Sequence, residues 1–285
     1  MVSSRTAMSI DTDIVLFEFD NLWVHSQRTI NAHSIKDSKE ASNKISMPSS
    51  IYQKWTSKLT ANTSLDKELS THDRTLISGA SGTLLSEQVT VLTGASGSGK
   101  SVLLRVLAGL FSMSSGTVRL HDDTSSNVYH DIHETAPMRW RKQVALLAQH
   151  PQLLDGSVLE NLQMPYQLHA HQSQTFDRDW HVAQLEHLYR SADFLQQNAK
   201  HLSGGERQLV NTLRLLQFNP QVLLLDEPTA ALDIDTSAQL VKLLINWLHA
   251  DAQRTFLWVT HDTKDIMPLA NRHWHMQAGV LTVDS

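Results

Sequence analysis

Hydrophobic and polar positions change rhythm several times along this 285-residue chain. Near the start, DIVLFEFDNLW (13–23) sets Val15, Phe17 and Phe19 against Leu16, Glu18 and Asp20, an alternation that predicts a half-buried strand. The rhythm stops over residues 26–72, which hold ten serines, six lysines and no glycine. That composition predicts a flexible surface insertion, with at most one short amphipathic helix on Ile51, Trp55 and Leu59. Apolar runs return after Arg74, where a strand resumes. QVTVLTG (88–94) predicts another strand, and KSVLLRVLAGL (100–110) a helix with Leu103, Leu104, Leu107 and Leu110 on one side. SSGTVRL (114–120) and QVALLAQ (143–149) read as two more strands.

Residues 150–200 turn polar and rich in His and Gln, with helix predicted over DWHVAQLEHLYRSADFL (179–195). PQVLLLDEP (220–228) then predicts a buried strand ending in acids, SAQLVKLLINWLHA (237–250) a helix, and TFLWVTHD (255–262) a last buried strand. Strands alternating with helices argue for a mostly parallel α/β core. No apolar run approaches the roughly 18 residues of a membrane-crossing helix, so any membrane role calls for another chain. The first twenty residues carry three aspartates and a glutamate without a signal-peptide pattern, and a cytoplasmic location is expected.

Composition narrows the chemistry. With 41% hydrophobic and 19% charged residues the chain is ordinary for a globular protein, and its net charge of -5 gives no reason to expect nucleic acid as a partner. It has no cysteine, which excludes disulfides, thiolate metal sites and a cysteine nucleophile. Among its 16 histidines, the pairs His169/His171 and His273/His275 come without visible third and fourth ligands, so a polar surface accounts for them better than a metal.

Three segments carry chemistry. Gly94-Ala95-Ser96-Gly97-Ser98-Gly99-Lys100-Ser101 matches the phosphate-binding P-loop pattern, between a predicted strand and a predicted helix. Its glycines let backbone N–H groups turn onto phosphate oxygens. Lys100 would neutralise the β- and γ-phosphates, and the Ser101 hydroxyl would sit on Mg²⁺. VLLLDEP puts Asp226 and Glu227 at the carboxyl end of a strand, where α/β sheets bind ligands. Asp226 would hold Mg²⁺ and Glu227 would act as general base toward water. Ser203-Gly204-Gly205 opens a second helix and offers a second anion site.

In this order and spacing, the motifs from about residue 74 to 280 resemble the ATP-binding subunits of ABC transporters. Gln149 in LLAQHPQLL looks like the Q-loop glutamine. LSGGE (202–206) looks like the signature, with Glu206 for the commoner Gln. Asp233 looks like the D-loop aspartate, and His261 in WVTHD like the switch histidine. The resemblance implies an ATPase fold: a RecA-like parallel-sheet core, an antiparallel β subdomain and an α-helical signature subdomain. It divides the chain into 1–25 (first strand region), 26–72 (insertion), 73–149 (P-loop core), 150–202 (helical subdomain) and 203–285 (signature helix, Asp226/Glu227 and His261 core).

It further implies MgATP as cofactor, held by Gly94, Ala95, Ser96, Gly97, Ser98, Gly99, Lys100, Ser101 and Val102, with Ser101, Gln149 and Asp226 on the metal. Lys100, Glu227 and His261 would be catalytic. Two copies would pack head to tail, so that Ser203, Gly204 and Gly205 meet the ATP of the other subunit. The subunits would dock on an integral membrane permease, peripheral on the inner face of the cell membrane. RKQVALLAQHPQLLDGSVLENLQMPYQL, LLQFNPQVLLLDE and LWVTHDTKDI resemble the iron-export subgroup, which implies metal efflux. The aromatic that stacks on adenine in this family falls about 25 residues before the P-loop; here Trp23 stands about 70 before it, with the insertion between, and Tyr52 and Trp55 are the alternatives. Competing expectations are a soluble ABC-type ATPase in translation or DNA maintenance, a motor for another solute, or a regulatory module without hydrolysis. A single cassette, no sustained heptads and intact Lys100, Glu227 and His261 weigh against the soluble and regulatory ones.

Overall fold

The computed structural model of the protein describes residues 14–26, 74–121, 128–230 and 232–283. Nearly all of the expected insertion, including Ile51, Tyr52, Trp55 and Leu59, lies outside them. Of the compact unit His25–Thr75 only the two ends are described, and they meet. Ser26 N–H donates to the Arg74 carbonyl at 2.8 Å, and Arg74 N–H donates to Ser26 Oγ at 2.9 Å.

Among the other described residues two sheets form. One holds β1 (Val15–His25), β2 (Thr75–Leu85), β4 (Ser115–His121) and β5 (Tyr129–Asp131) in the order β2-β1-β4-β5, with β1/β4 and β4/β5 antiparallel. The other holds β3 (Val89–Thr93), β6 (Val144–Leu147), β7 (Val222–Asp226), β8 (Thr255–Val259), β9 (Arg272–Gln277) and β10 (Val280–Val283) in the order β10-β9-β3-β8-β7-β6. Its pairs are parallel from β9 to β6, and β10 is antiparallel to β9. The α-helices among the described residues are α1 (Lys100–Leu107), α2 (Pro137–Gln143), α3 (Val158–Gln163), α4 (Arg178–His187), α5 (Gly204–Leu216) and α6 (Ile234–His249).

Strands β7 and β8 are buried at every position because both faces of the parallel sheet are covered. Their two-residue period divides the core. Leu223, Leu225, Phe256 and Trp258 join one cluster with Leu209, Leu213, Leu240 and Leu244 of α5 and α6. Val222, Leu224, Leu257 and Val259 join the other with Leu103, Leu104 and Leu107 of α1 and with Phe17 and Phe19 of β1. The sheet is thus held between α5–α6 on one side and α1 with the antiparallel sheet on the other.

Several elements depart from the sequence expectation. In β1, Leu16 is buried beside Phe17, and the register slips between Asp20 and Trp23 where Asn21 takes φ 46, so Leu22 and Val24 point inward afterwards. Leu110 lies beyond α1 and is exposed: the helix ends at Leu107, and the Leu110 N–H turns back to the Arg105 carbonyl. The helix predicted over 179–195 stops at His187, because Tyr189 adopts φ 54, and resumes as a 3₁₀ turn at Ala192–Gln196. In β9, His273 and His275 do share one face, where both ring nitrogens approach Thr93 Oγ1 at 2.8 and 3.3 Å. Among the described residues no group of three or more His, Asp or Glu is arranged to hold a metal ion.

Candidate functional site

The carboxyl ends of β3, β8 and β7 lie side by side and carry the P-loop, His261 and the Asp226-Glu227 pair respectively. Gly99 caps α1 with no side-chain partner for the helix N–H groups, leaving them directed at the loop. Within the loop a Cβ at Gly94 would fall 2.1 Å from the Met276 carbonyl, whereas one at Gly97 would meet nothing within 4 Å. Gly94 therefore seats the loop against β9, and Gly97 borders open space. Ser98 is 5% exposed and its Oγ has no hydrogen-bond partner among the described residues, a buried polar deficit inside the same loop.

Lys100 folds back into the loop. Its Nζ donates to the carbonyls of Gly94 and Ala95 at 2.7 and 2.9 Å and comes within 3.4 Å of His261 Nε2. His261 Nε2 is also 3.0 Å from Glu227 Oε1. The other carboxylate oxygen of Glu227 accepts from Gln149 Nε2 at 2.8 Å. Ser101 Oγ donates to Asp226 Oδ1 at 3.2 Å. Four separate chain segments thus bring Lys100, His261, Glu227 and Gln149 into one run of contacts. Glu227 is fixed there by an unusual backbone: it has φ 48, and its N–H donates to the Val259 carbonyl at 3.0 Å.

Electrostatics show what the site lacks. Burial lowers the Lys100 pKa, against the opposing pull of Glu227 and Asp226. Burial raises the Asp226 pKa, against the Ser101 hydrogen bond and the charges of Arg105, Lys100 and His150. Each charge has lost more to desolvation than its neighbours return. An anion beside Lys100 and a cation beside Asp226 would stabilise both. The donor set of a serine hydroxyl, a carboxylate and a glutamine amide fits Mg²⁺, which takes oxygen ligands. The residues present therefore fit MgATP. Arg105 and His150 were not anticipated from the sequence; Arg105 lies four residues after Ser101, on the same face of α1.

The other predicted residues lie elsewhere. Ser203 caps α5: its Oγ accepts from Glu206 N–H at 3.2 Å, while Glu206 Oε2 accepts from Ser203 N–H at 2.9 Å. Ser203 and Gly204 are exposed, and no hydrogen bond or ion pair among the described residues joins 203–205 to 94–101. Asp233 caps α6, accepting from Thr236 N–H at 2.9 Å and from Thr236 Oγ1 at 2.8 Å, which lowers its pKa. Trp23 is half-buried on β1, where its Nε1 donates to Asn21 Oδ1 at 2.9 Å. Val102 follows Ser101 in α1 and packs against the core beneath the loop.

Known proteins resemble this chain in sequence and in fold. Residues 77–230 match the profile of a family described as ABC transporter. The chain is 36% identical over 168 residues to the probable iron export ATP-binding protein FetA of Escherichia coli K12, covering 59% of this chain and 70% of that one. It is 34% identical over 184 residues to the methionine import ATP-binding protein MetN 1 of Pseudomonas fluorescens Pf-5, covering 64% of this chain and 53% of the other, so it spans only about half of that importer. Among solved structures, the fold resembles a dimeric post-hydrolysis ATP-binding cassette bound to ADP and Pi, with a TM-score of 0.67 and 18% identity over 95% of this chain and 98% of that one. It also resembles cbiO1 from Clostridium perfringens, described as part of the ABC transporter complex cbiONQ, with a TM-score of 0.63 and 19% identity over 95% of this chain and 87% of that one. The chain belongs to the ABC transporter family, as one of its ATP-binding, ATP-hydrolysing subunits.

Proposed function

We propose that the chain binds MgATP through residues 94–102 and hydrolyses it as the motor of a metal exporter, with iron as the cargo. The observation that carries the catalytic part is the run of contacts from Lys100 through His261 and Glu227 to Gln149. Glu227, held by His261 and Gln149, takes the proton of the attacking water. Lys100, freed from the Gly94 and Ala95 carbonyls, neutralises the terminal phosphates, and His261 contacts the γ-phosphate. Ser101, Asp226 and Gln149 would hold Mg²⁺, which supplies charge neutralisation at the phosphates. Trp23 stacks on the adenine.

The reading extends to a homodimer in which Ser203, Gly204 and Gly205 of one subunit close the nucleotide site of the other. The exposure of Ser203 and Gly204, and their lack of hydrogen bonds to the P-loop of their own chain, support it. The membrane partner is a FetB-like permease, and the subunit works on the inner face of the cell membrane. Support for iron efflux is the likeness to a probable iron export protein. Relatives at similar identity are named for methionine and for maltose/maltodextrin import, so the cargo is the part to test. Deleting the gene should raise cellular iron and sensitivity to peroxide. Unchanged iron with reduced uptake of an organic solute overturns the cargo and leaves the motor intact.

A further inference from the structure

A cavity of about 220 Å³ opens where α4 and α6 meet the chain at Arg254, and it shares no lining residue with the nucleotide site. Trp180 and Trp247 give it indole walls. His187, Lys242 and Arg254 supply its cationic groups, and no Asp or Glu lines it. Part of the Arg254 charge is already engaged: its guanidinium lies 4.8 Å from the Trp247 ring centroid, hydrogen-bonds the Trp247 carbonyl near the end of α6 and Asn219 Oδ1, and stands 3.9 Å from Asp251. Lys242 is exposed and makes no ion pair among the described residues.

Three side-chain polar atoms of the lining residues lie buried without a hydrogen-bond partner among the described residues. They are Trp247 Nε1, Gln239 Oε1 and Arg254 Nε, and none of the three is open to solvent. The volume equals about seven water-sized spaces of roughly 30 Å³, enough for a compact molecule.

We propose that this cavity binds a small organic anion, a carboxylate or phosphate ester on a flat apolar body. The indole rings take the apolar body, and Lys242 and Arg254 take the charge. Because the cavity lies between α4 and α6, an occupant would join two segments otherwise packed mainly through side chains. The proposal does not depend on the transported cargo or on the roles assigned at the P-loop.

The test uses the full chain titrated with benzoate, phenyl phosphate and neutral benzamide, followed by calorimetry and ligand-observed NMR. Both anions should bind one saturable site, and benzamide should bind about tenfold more weakly or worse. Tighter benzoate identifies a carboxylate ligand, and tighter phenyl phosphate a phosphate ester; either supports the anion site. Lys242→Ala and Trp247→Phe should each weaken the anions several-fold while ATP hydrolysis stays as in the wild type. If Trp247→Phe fails to fold, Lys242→Ala carries the comparison alone. No saturable binding at millimolar anion, benzamide binding as well as benzoate, or anion affinity unchanged in Lys242→Ala overturns it.

Discussion

Two glycines of the nucleotide loop, three residues apart, should fail in opposite ways when given a methyl group. At Gly94 the new Cβ would stand 2.1 Å from the Met276 carbonyl oxygen, with φ at 144. Relief requires β3 and β9 to part by about 1 Å at their paired ends. Overpacking of this kind costs about 1–3 kcal/mol and backbone strain about as much again. Gly94→Ala should therefore lose about 2–6 kcal/mol, a large share of an ordinary domain's stability. At Gly97 the Cβ meets nothing within 4 Å, and only φ 75 is unfavourable. That strain costs about 1–2 kcal/mol, so Gly97→Ala should fold. Its methyl would occupy the open space assigned here to phosphate, and ATP affinity should fall by about tenfold or more. Urea unfolding and binding of a fluorescent ATP analogue measure the two effects separately. Wild-type ATP affinity in Gly97→Ala, or wild-type stability in Gly94→Ala, refutes the division of the loop into cradle and seat.

Lys100→Ala should weaken ATP binding by about tenfold to a hundredfold, since hydrogen bonds to charged groups contribute about 1.5–3 kcal/mol, and equilibrium binding would read it directly. His181 is fully buried between the Asp177 carbonyl and Gln217 Oε1, and burial lowers its pKa from 6.5 despite those bonds. The unfolded chain then takes the proton first, so stability should be intact above neutral pH and fall as pH drops through 6.5. Denaturant titrations of wild type and His181→Gln should differ there in slope by up to about 1.4 kcal/mol per pH unit, and equal slopes would contradict the assignment. Replacing residues 28–70 with a short Gly/Ser linker should preserve folding and ATP binding, because Ser26 and Arg74 already meet and loop closure changes by only about 0.6 kcal/mol per doubling of length. Trp23→Ala should then weaken ATP binding. If instead the shortened protein folds without binding ATP while Trp23→Ala in the full chain binds normally, the stacking aromatic lies within the replaced segment.

The parallel core could be read from the sequence because β7 and β8 are continuous apolar runs ending in candidate site residues, Asp226 and, just past Val259, His261. The P-loop could be read because its glycines and Lys100 stand at fixed spacing. The breaks were hidden. Nothing in the wording around Tyr189 marks a positive φ, since neither Gly nor Pro is there to flag it, and the periodic pattern ran on past the true end of α4. The slip at Asn21 was equally silent, so the alternation of β1 reversed after Asp20. At the site, motif order brought Lys100, Glu227 and His261 to mind together, but it could not show that Gln149 lies on the Glu227 carboxylate, because that contact depends on how the segment after β6 turns. The cavity between Trp180 and Trp247 joins residues far apart in the chain and leaves no periodic trace.

The central claim is that two copies share each ATP and that Glu227 drives its hydrolysis. Light scattering of Glu227→Gln with and without MgATP, beside phosphate release, tests both parts at once. The variant should turn over about 10²–10⁴-fold more slowly than wild type and shift to the mass of a dimer when MgATP is added. Adding Ser203→Arg should keep it a monomer. Hydrolysis at the wild-type rate, or a Glu227→Gln protein that remains monomeric at saturating MgATP, would contradict the account.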